Sequence, residues 1–165
     1  VSASPTRPPA TLPLTPAQLR IARKVAEGEC TDAIASELSI TVGTINVQLK
    51  HCGQKLGVRG RSAVVHACFV TGQLQRPETT VSPETFSETE IETWRMVAIG
   101  TTSQVFADRA RVSRDSAVRR VRALRECVKA ENDPHLVTLG WSCEVLDESL
   151  TEMASGTVLR VPTHR

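Results

Sequence analysis

Residues 31–56, TDAIASELSITVGTINVQLKHCGQKL, decide the fold of this chain of 165 residues. Ile34, Ala35 and Leu38 share one face of a short helical segment, and beyond Ser39 and Ile40 a longer segment carries Ile45, Leu49, Cys52 and Leu56 at helical spacing. So few residues separate the two that only a tight turn fits between them. Thr41 stands where a side-chain oxygen accepts an early backbone N–H of the second helix. Ala35 is small where two steeply crossing helices must come close, and Ile40 supplies the apolar plug of the turn. The second helix leaves Val42, Gly43, Asn46, Val47 and Lys50 on the face opposite its core residues.

The same pattern returns 72 residues later. A constant shift of 72 pairs Leu14 with Phe86, Leu19 with Ile91, Ala26 with Ala98, Gly28 with Gly100, Ile34 with Phe106 and Ala35 with Ala107. It continues through Ile40 with Val112, Thr41 with Ser113, Thr44 with Ser116, Leu49 with Val121 and Leu56 with Val128. No gap is needed across about forty residues, which points to an internal duplication of one small helical unit. Units of roughly 60 residues have marginal cores, so docking of the two, or dimerisation, is the expected source of further stability.

Composition narrows the function classes. The net charge is only +2, so the chain as a whole is no basic nucleic-acid coat, and local charge carries more information than the total. Five cysteines, with no CxxC spacing, fit a reduced protein better than a disulfide scaffold. No apolar run approaches membrane-spanning length, and no signal-peptide pattern opens the sequence. Val1 leaves a processed or engineered start open.

Taken in order, residues 1–13 hold four prolines and read as a disordered lead. A helix then starts with Thr15 as cap, Pro16 at its first position, Gln18 completing a capping box and Leu14 with Leu19 as staple. It runs to Glu27, and Gly28 ends it. After the helix pair, residues 57–62 form a turn with two basic side chains, and a fourth helix spans residues 63–70. Residues 75–85 are polar and read as a linker. The second unit repeats the opening with Ser87, Glu90, Phe86 and Ile91, followed by helices over residues 103–110, 115–129 and 135–145. The tail, residues 147–165, takes no assignment.

Residues 14–74 resemble the DNA-binding domain of the LuxR (GerE, NarL/FixJ) transcription regulators. LTPAQ, the AEG of residues 26–28, the IASEL of residues 34–38, Thr41 with Thr44 and Ile45, and Lys55-Leu56-Gly57-Val58 carry the match. The second unit is similar more loosely, through FSETE, Ile99-Gly100, Val112-Ser113 with Ser116, and HLVTLGW at residues 135–141. The resemblance implies an all-α fold of two tandem four-helix LuxR-type helix-turn-helix units: 14–74, linker 75–85, and 86–146. It also implies a sequence-specific regulator of transcription on double-stranded DNA, with recognition helices 41–56 and 113–129 in major grooves. The base-reading positions fall on Asn46, Val47 and Lys50, and on Val118, Arg119 and Arg122. Thr41, Thr44, Ser113 and Ser116 stand at the starts of those helices. Fourth helices often dimerise in the family, so a homodimer through residues 61–74 and 135–146 is one expectation and an intramolecular pseudo-dimer the other. RNA polymerase is a further possible partner, and a bacterial cytoplasmic, nucleoid-associated location follows.

The sequence departs from the family where Gly43 and Asn46 replace a common Lys or Arg and Gln48 an often-found His. The first reading face is electrostatically thin, and Gly43 weakens its helix by about 1 kcal/mol relative to Ala. The second unit compensates with seven arginines between Arg109 and Arg125 against Asp115 alone. Phosphate contacts supply affinity and base contacts the sequence information. Arg119 and Arg122 are therefore candidates for guanine edges, and Arg114 and Arg120 for phosphate.

Blander readings stand beside these. The arginine run could be a solvated face paired with Glu88, Glu90 and Glu92, and Asn46 a plain surface residue. His51, Cys52, His66 and Cys68 suggest a metal site to the eye, but two of them lie on apolar faces, so neither metal nor cofactor is expected. Asp133-Pro134-His135 reads as helix-start chemistry, and no catalytic constellation accompanies it. The uncharged Val42 and Val47 motivate the alternative function, a protein-interaction module that docks on another regulator or on RNA polymerase. No receiver or ligand-sensing pattern precedes the first unit, so regulation by phosphorylation or an autoinducer within the chain is not expected.

Overall fold

The computed structural model describes residues 12–162. Among them are eight α-helices: α1 (Pro16–Ala26), α2 (Thr31–Leu38), α3 (Val42–Leu56), α4 (Arg61–Val70), α5 (Glu88–Ala98), α6 (Ser103–Ala110), α7 (Arg114–Val128) and α8 (Asp133–Ser142). A 3-10 turn, Pro83–Thr85, precedes α5, and an isolated antiparallel bridge joins Glu152 to Val158 in the tail. Each helix of the second half starts and ends 72 residues after its counterpart in the first.

Local chemistry explains that periodicity. Thr15 and Ser87 close full capping boxes with Gln18 and Glu90, so both halves begin by satisfying two orphan N–H groups reciprocally. The turn before each long helix is made by a left-handed residue, Ser39 at φ 57° and Arg111 at φ 58°. Ile40 and Val112 then return their N–H groups to Ala35 and Ala107. Thr41 and Ser113 cap α3 and α7. Three helices start earlier than expected: α4 at Arg61 rather than Ala63, α7 at Arg114 rather than Asp115, and α8 at Asp133 rather than His135, where Asn132 caps it by accepting the N–H of His135. Helix α8 also ends at Ser142 rather than Val145.

The two halves share one continuous core. Buried residues of α1, α3 and α4 pack into the same cluster as Trp94, Leu136, Trp141 and Leu146. At its centre α4 lies against α8, with Phe69 and Trp141 in ring contact at 5.3 Å. These two positions are themselves 72 apart, and the flanking contacts are reciprocal: α1 packs on α8 and α4 on α5. Gly28 abuts His135 and Glu131, while Gly100 abuts Ala63 and the Arg59 carbonyl. A domain of ~60 residues buries only about 60% of the surface its unfolded chain exposes. The shared core relieves that shortage for both halves.

This packing bears on the expected homodimer. Ala63 to Val70 are all buried inside one chain, which leaves that stretch of α4 no free face for a second copy. Residues 75–85 are not a free tether either. Arg76 pairs with Glu148 at 2.9 Å and lies over the Trp141 ring, and the Thr80 N–H donates to the Ser142 carbonyl.

Most of the lead, residues 1–11, lies outside the described residues. Leu12 is held by an N–H bond to the Lys55 carbonyl at 2.9 Å.

The tail is a clasp. Met153 and Leu159 are buried, Ala154 N–H donates to Ile99 in the second half, and the Ser155 and Thr157 hydroxyls donate to Gly57 in the first. These contacts are tertiary, so no local periodicity announced them. Among the described residues no helix is long and apolar enough to cross a membrane.

Candidate nucleic-acid interface

Both long helices start with the same device. Thr41 Oγ1 accepts the Thr44 N–H at 3.1 Å and lies 2.9 Å from the Thr44 hydroxyl. Ser113 Oγ accepts the Ser116 N–H at 3.1 Å and donates to the Ser116 hydroxyl at 3.0 Å. The Thr41 and Ser113 hydroxyls are therefore caps, and those of Thr44 and Ser116 bond to them. They fix the start of each helix, and so the angle at which its next two turns project.

On α3, Asn46, Val47 and Lys50 are exposed together, with Val47 the most open apolar side chain of the group at 49%. Asn46 is not free to orient: its Oδ1 accepts from Arg61 Nη2 at 2.7 Å, while Arg61 Nη1 donates to Thr31 at 2.7 Å. That bond turns the Asn46 amide so that its NH2 is the group left to donate. Sequence reasoning noted Arg61 only as a basic turn residue, since its partners lie 15 and 30 positions away.

On α7, Val118, Arg119 and Arg122 are exposed as a set, and Arg119 Nη2 lies 3.3 Å from the Ser116 hydroxyl. The arginine run divides in two. Arg120 is half-buried and pairs with Glu92 at 3.4 Å, and Arg125 pairs with Asp133 at 2.9 Å. Among the described residues, Arg109, Arg111, Arg114, Arg119 and Arg122 have no carboxylate partner. Of the two phosphate candidates, Arg114 is thus exposed and unpaired, whereas Arg120 is engaged at the α5–α7 seam.

The suggested His/Cys cluster takes other roles. Trp141 Nε1 donates to His66 Nδ1 at 2.9 Å, and His66 Nε2 donates to the Leu150 carbonyl at 2.8 Å. An indole only donates and a carbonyl only accepts, so this imidazole is neutral with both nitrogens used. Burial pushes its pKa down to about 4. Burial likewise raises the Cys52 thiol to about 11 and the Cys68 thiol still further.

The family model of the bacterial regulatory proteins, luxR family, matches residues 12–68. This stretch, which holds α1 to α3 and most of α4, is thus similar to the helix-turn-helix domain of that family. No curated protein and no solved structure matches the chain.

Proposed function

We infer that this chain is a sequence-specific regulator of transcription on double-stranded DNA, in which two helix-turn-helix units form an intramolecular pseudo-dimer and present α3 and α7 to major grooves. One observation carries the reading: contacts between the halves exchange under the 72-residue shift, with Phe69 on Trp141 at their centre. Reciprocal contact is the mark of an isologous two-fold interface. A two-fold pair of reading helices suits two inverted half-sites about one helical turn, ~34 Å, apart. The reading faces differ, Asn46/Val47/Lys50 against Val118/Arg119/Arg122, so the two half-sites differ in sequence. Neither RNA polymerase nor a second copy is required by this arrangement.

Fluorescence anisotropy of the full chain on genomic duplex fragments, at two salt concentrations and against an unrelated duplex, tests the reading. Sub-micromolar binding to some fragments that falls steeply with salt is expected. No binding beyond the control at low salt would overturn it. A second reading, in which α3 docks on a protein while only α7 reads DNA, is favoured by the exposure of Val42 and Val47 at 38% and 49%. Footprinting separates the two: a pseudo-dimer protects two groove segments, a single reader one.

A further inference from the structure

Two clefts meet between the reading helices. The first, about 290 Å³, lies between the turn ahead of α4 and helices α5 to α7, and Arg59, Arg61, Arg122 and Arg125 all line it. Asp133 is the one carboxylate on its wall, and it is paired with Arg125. Arg61 is committed to Thr31 and Asn46. Arg59 and Arg122 remain, both exposed, one from each half of the molecule. The second cleft, about 710 Å³, shares Arg59, Gly60 and Arg61 with the first and extends to Asn46 and Lys50 on α3. The far ends of this track are therefore the two reading faces: Asn46 and Lys50 at one end, Val118 and Arg122 at the other.

We propose that the turn at Arg59 is a phosphate clamp, in which Arg59 and Arg122 together grip the DNA backbone between the two major-groove segments. The proposal rests on the DNA-binding reading above and adds to it a site outside both recognition helices. A guanidinium presents a planar fork of donors that matches phosphate oxygens in pairs, and two forks, one from each half, suit a strand lying in the cleft they both line. The walls carry Ser62 and Thr102 hydroxyls as further donors, and the buried Val97 and Phe106 line the same cleft. A backbone phosphate fits better than a free one because the two clefts are open, adjoin at Arg59, Gly60 and Arg61, and are each lined by residues of one reading face.

The clamp exists once. Shifted by 72, Arg59 and Arg61 become Glu131 and Asp133, and Arg122 and Arg125 correspond to Lys50 and Gly53. The pseudo-symmetric turn thus offers no matching pair of guanidinium groups.

The test is the salt dependence of duplex binding by the full chain carrying Arg59→Ala, read on the mapped site and on an unrelated duplex. Loss of one phosphate contact lowers the slope of log affinity against log salt by about 0.9, which at ~0.1 M salt is about eightfold in affinity. The loss should be equal on both duplexes, because phosphate carries no sequence information. Arg59→Lys should restore most of the slope, and equal urea midpoints for the three proteins would show that folding is untouched. Wild-type binding with an unchanged slope in Arg59→Ala overturns the clamp and leaves the regulator reading intact. Should the wild type bind no duplex, that reading fails instead, and titration with pyrophosphate decides what the cleft holds. Binding lost in Arg59→Ala would assign the cleft to a free phosphate ligand, and no binding would leave it none, so either result overturns the backbone clamp.

Discussion

The two halves of this molecule have nearly the same backbone and very different chemistry. Where α1 and α4 meet, Ala22 and Cys68 are buried; at the corresponding seam of α5 and α8 stand Trp94 and Gly140. The large residue has moved to one helix and the small one to the other. A Cβ on Gly140 would sit 2.8 Å from the Trp94 ring, so the two changes depend on each other. The charges have diverged as well. Lys50 is the one charged residue of the three proposed readers on α3, whereas α7 offers Arg119 and Arg122 beside Arg114. The comparison separates two kinds of constraint. Caps, left-handed turns and apolar spacing hold the backbone, while side-chain volume and charge are free to drift provided each seam stays filled.

The sharpest test of that shared scaffold is its centre. Trp141→Ala should cost about 3–5 kcal/mol in urea denaturation, since it empties a buried ring site and strips His66 of its donor. Phe69→Ala should cost less, because Phe69 is the less deeply buried of the pair. The double variant should lose clearly less than the sum, as both single changes remove the same ring contact. Additive losses would mean that the halves do not meet at this pair.

Much of this was legible before any coordinates. The capping boxes, the 72-residue register and the bounds of α6 follow from local spacing, and the exposed faces of α3 and α7 follow from the apolar stripes opposite them. What was hidden depends on partners distant in sequence. Arg61 holds Asn46, Glu92 takes Arg120, and Asp133 takes Arg125, and none of these pairings leaves a periodic trace. The tail escaped for the same reason: Ala154, Ser155 and Thr157 have targets in both halves but no helical pattern of their own.

A second difference between the halves is titratable. At the position of His66 the second half has Thr138, whose hydroxyl donates to the Ala26 carbonyl at 2.7 Å. His66 is held neutral, with its folded pKa near 4 against about 6.5 unfolded. Its contribution is therefore fully present above pH ~6.5. As pH falls below that value the unfolded chain gains a proton that the folded chain refuses, and stability drops until the folded pKa is reached. The window is worth about 3 kcal/mol. Urea midpoints across that range should fall for the wild type. His66→Gln should be less stable at neutral pH but flatter below it, and an equal slope in both proteins would place the acid sensitivity elsewhere.

Between the reading faces the expected difference is smaller. Arg119→Ala should relax preference at one base position by about 1–3 kcal/mol, measured by competition among single-base variants of the site. Asn46→Ala should do less, because Arg61 already occupies Asn46 Oδ1 and leaves mainly one donor for a base. If Asn46 proved the stronger reader, the electrostatic ranking of the two faces would be reversed.

The finest contrast lies at the ends of the two long helices. Both finish on a left-handed residue, Gly57 at φ 75° after α3 and Lys129 at φ 59° after α7. A side chain in that conformation costs about 1–2 kcal/mol relative to the right-handed region, and glycine escapes the cost. Lys129→Gly should therefore stabilise the chain, but by less than that figure. The unfolded state gains conformational freedom from a new glycine, and a cation near a helix C-terminus is worth about 0.3–1 kcal/mol. The net expectation is a gain of about 0.5 kcal/mol in the urea midpoint. The reciprocal change is not its mirror image. A Cβ at Gly57 would lie 2.8 Å from both Thr157 Cγ2 and Thr157 Oγ1, so Gly57→Ala must strain the turn and also push away the tail that clasps it. Its cost should exceed the gain from Lys129→Gly several-fold, and substituting Thr157→Ala beforehand should reduce that cost. Equal and opposite effects at the two caps would mean that the tail adds nothing to the first half, and that the two helix ends differ only in their backbone angle.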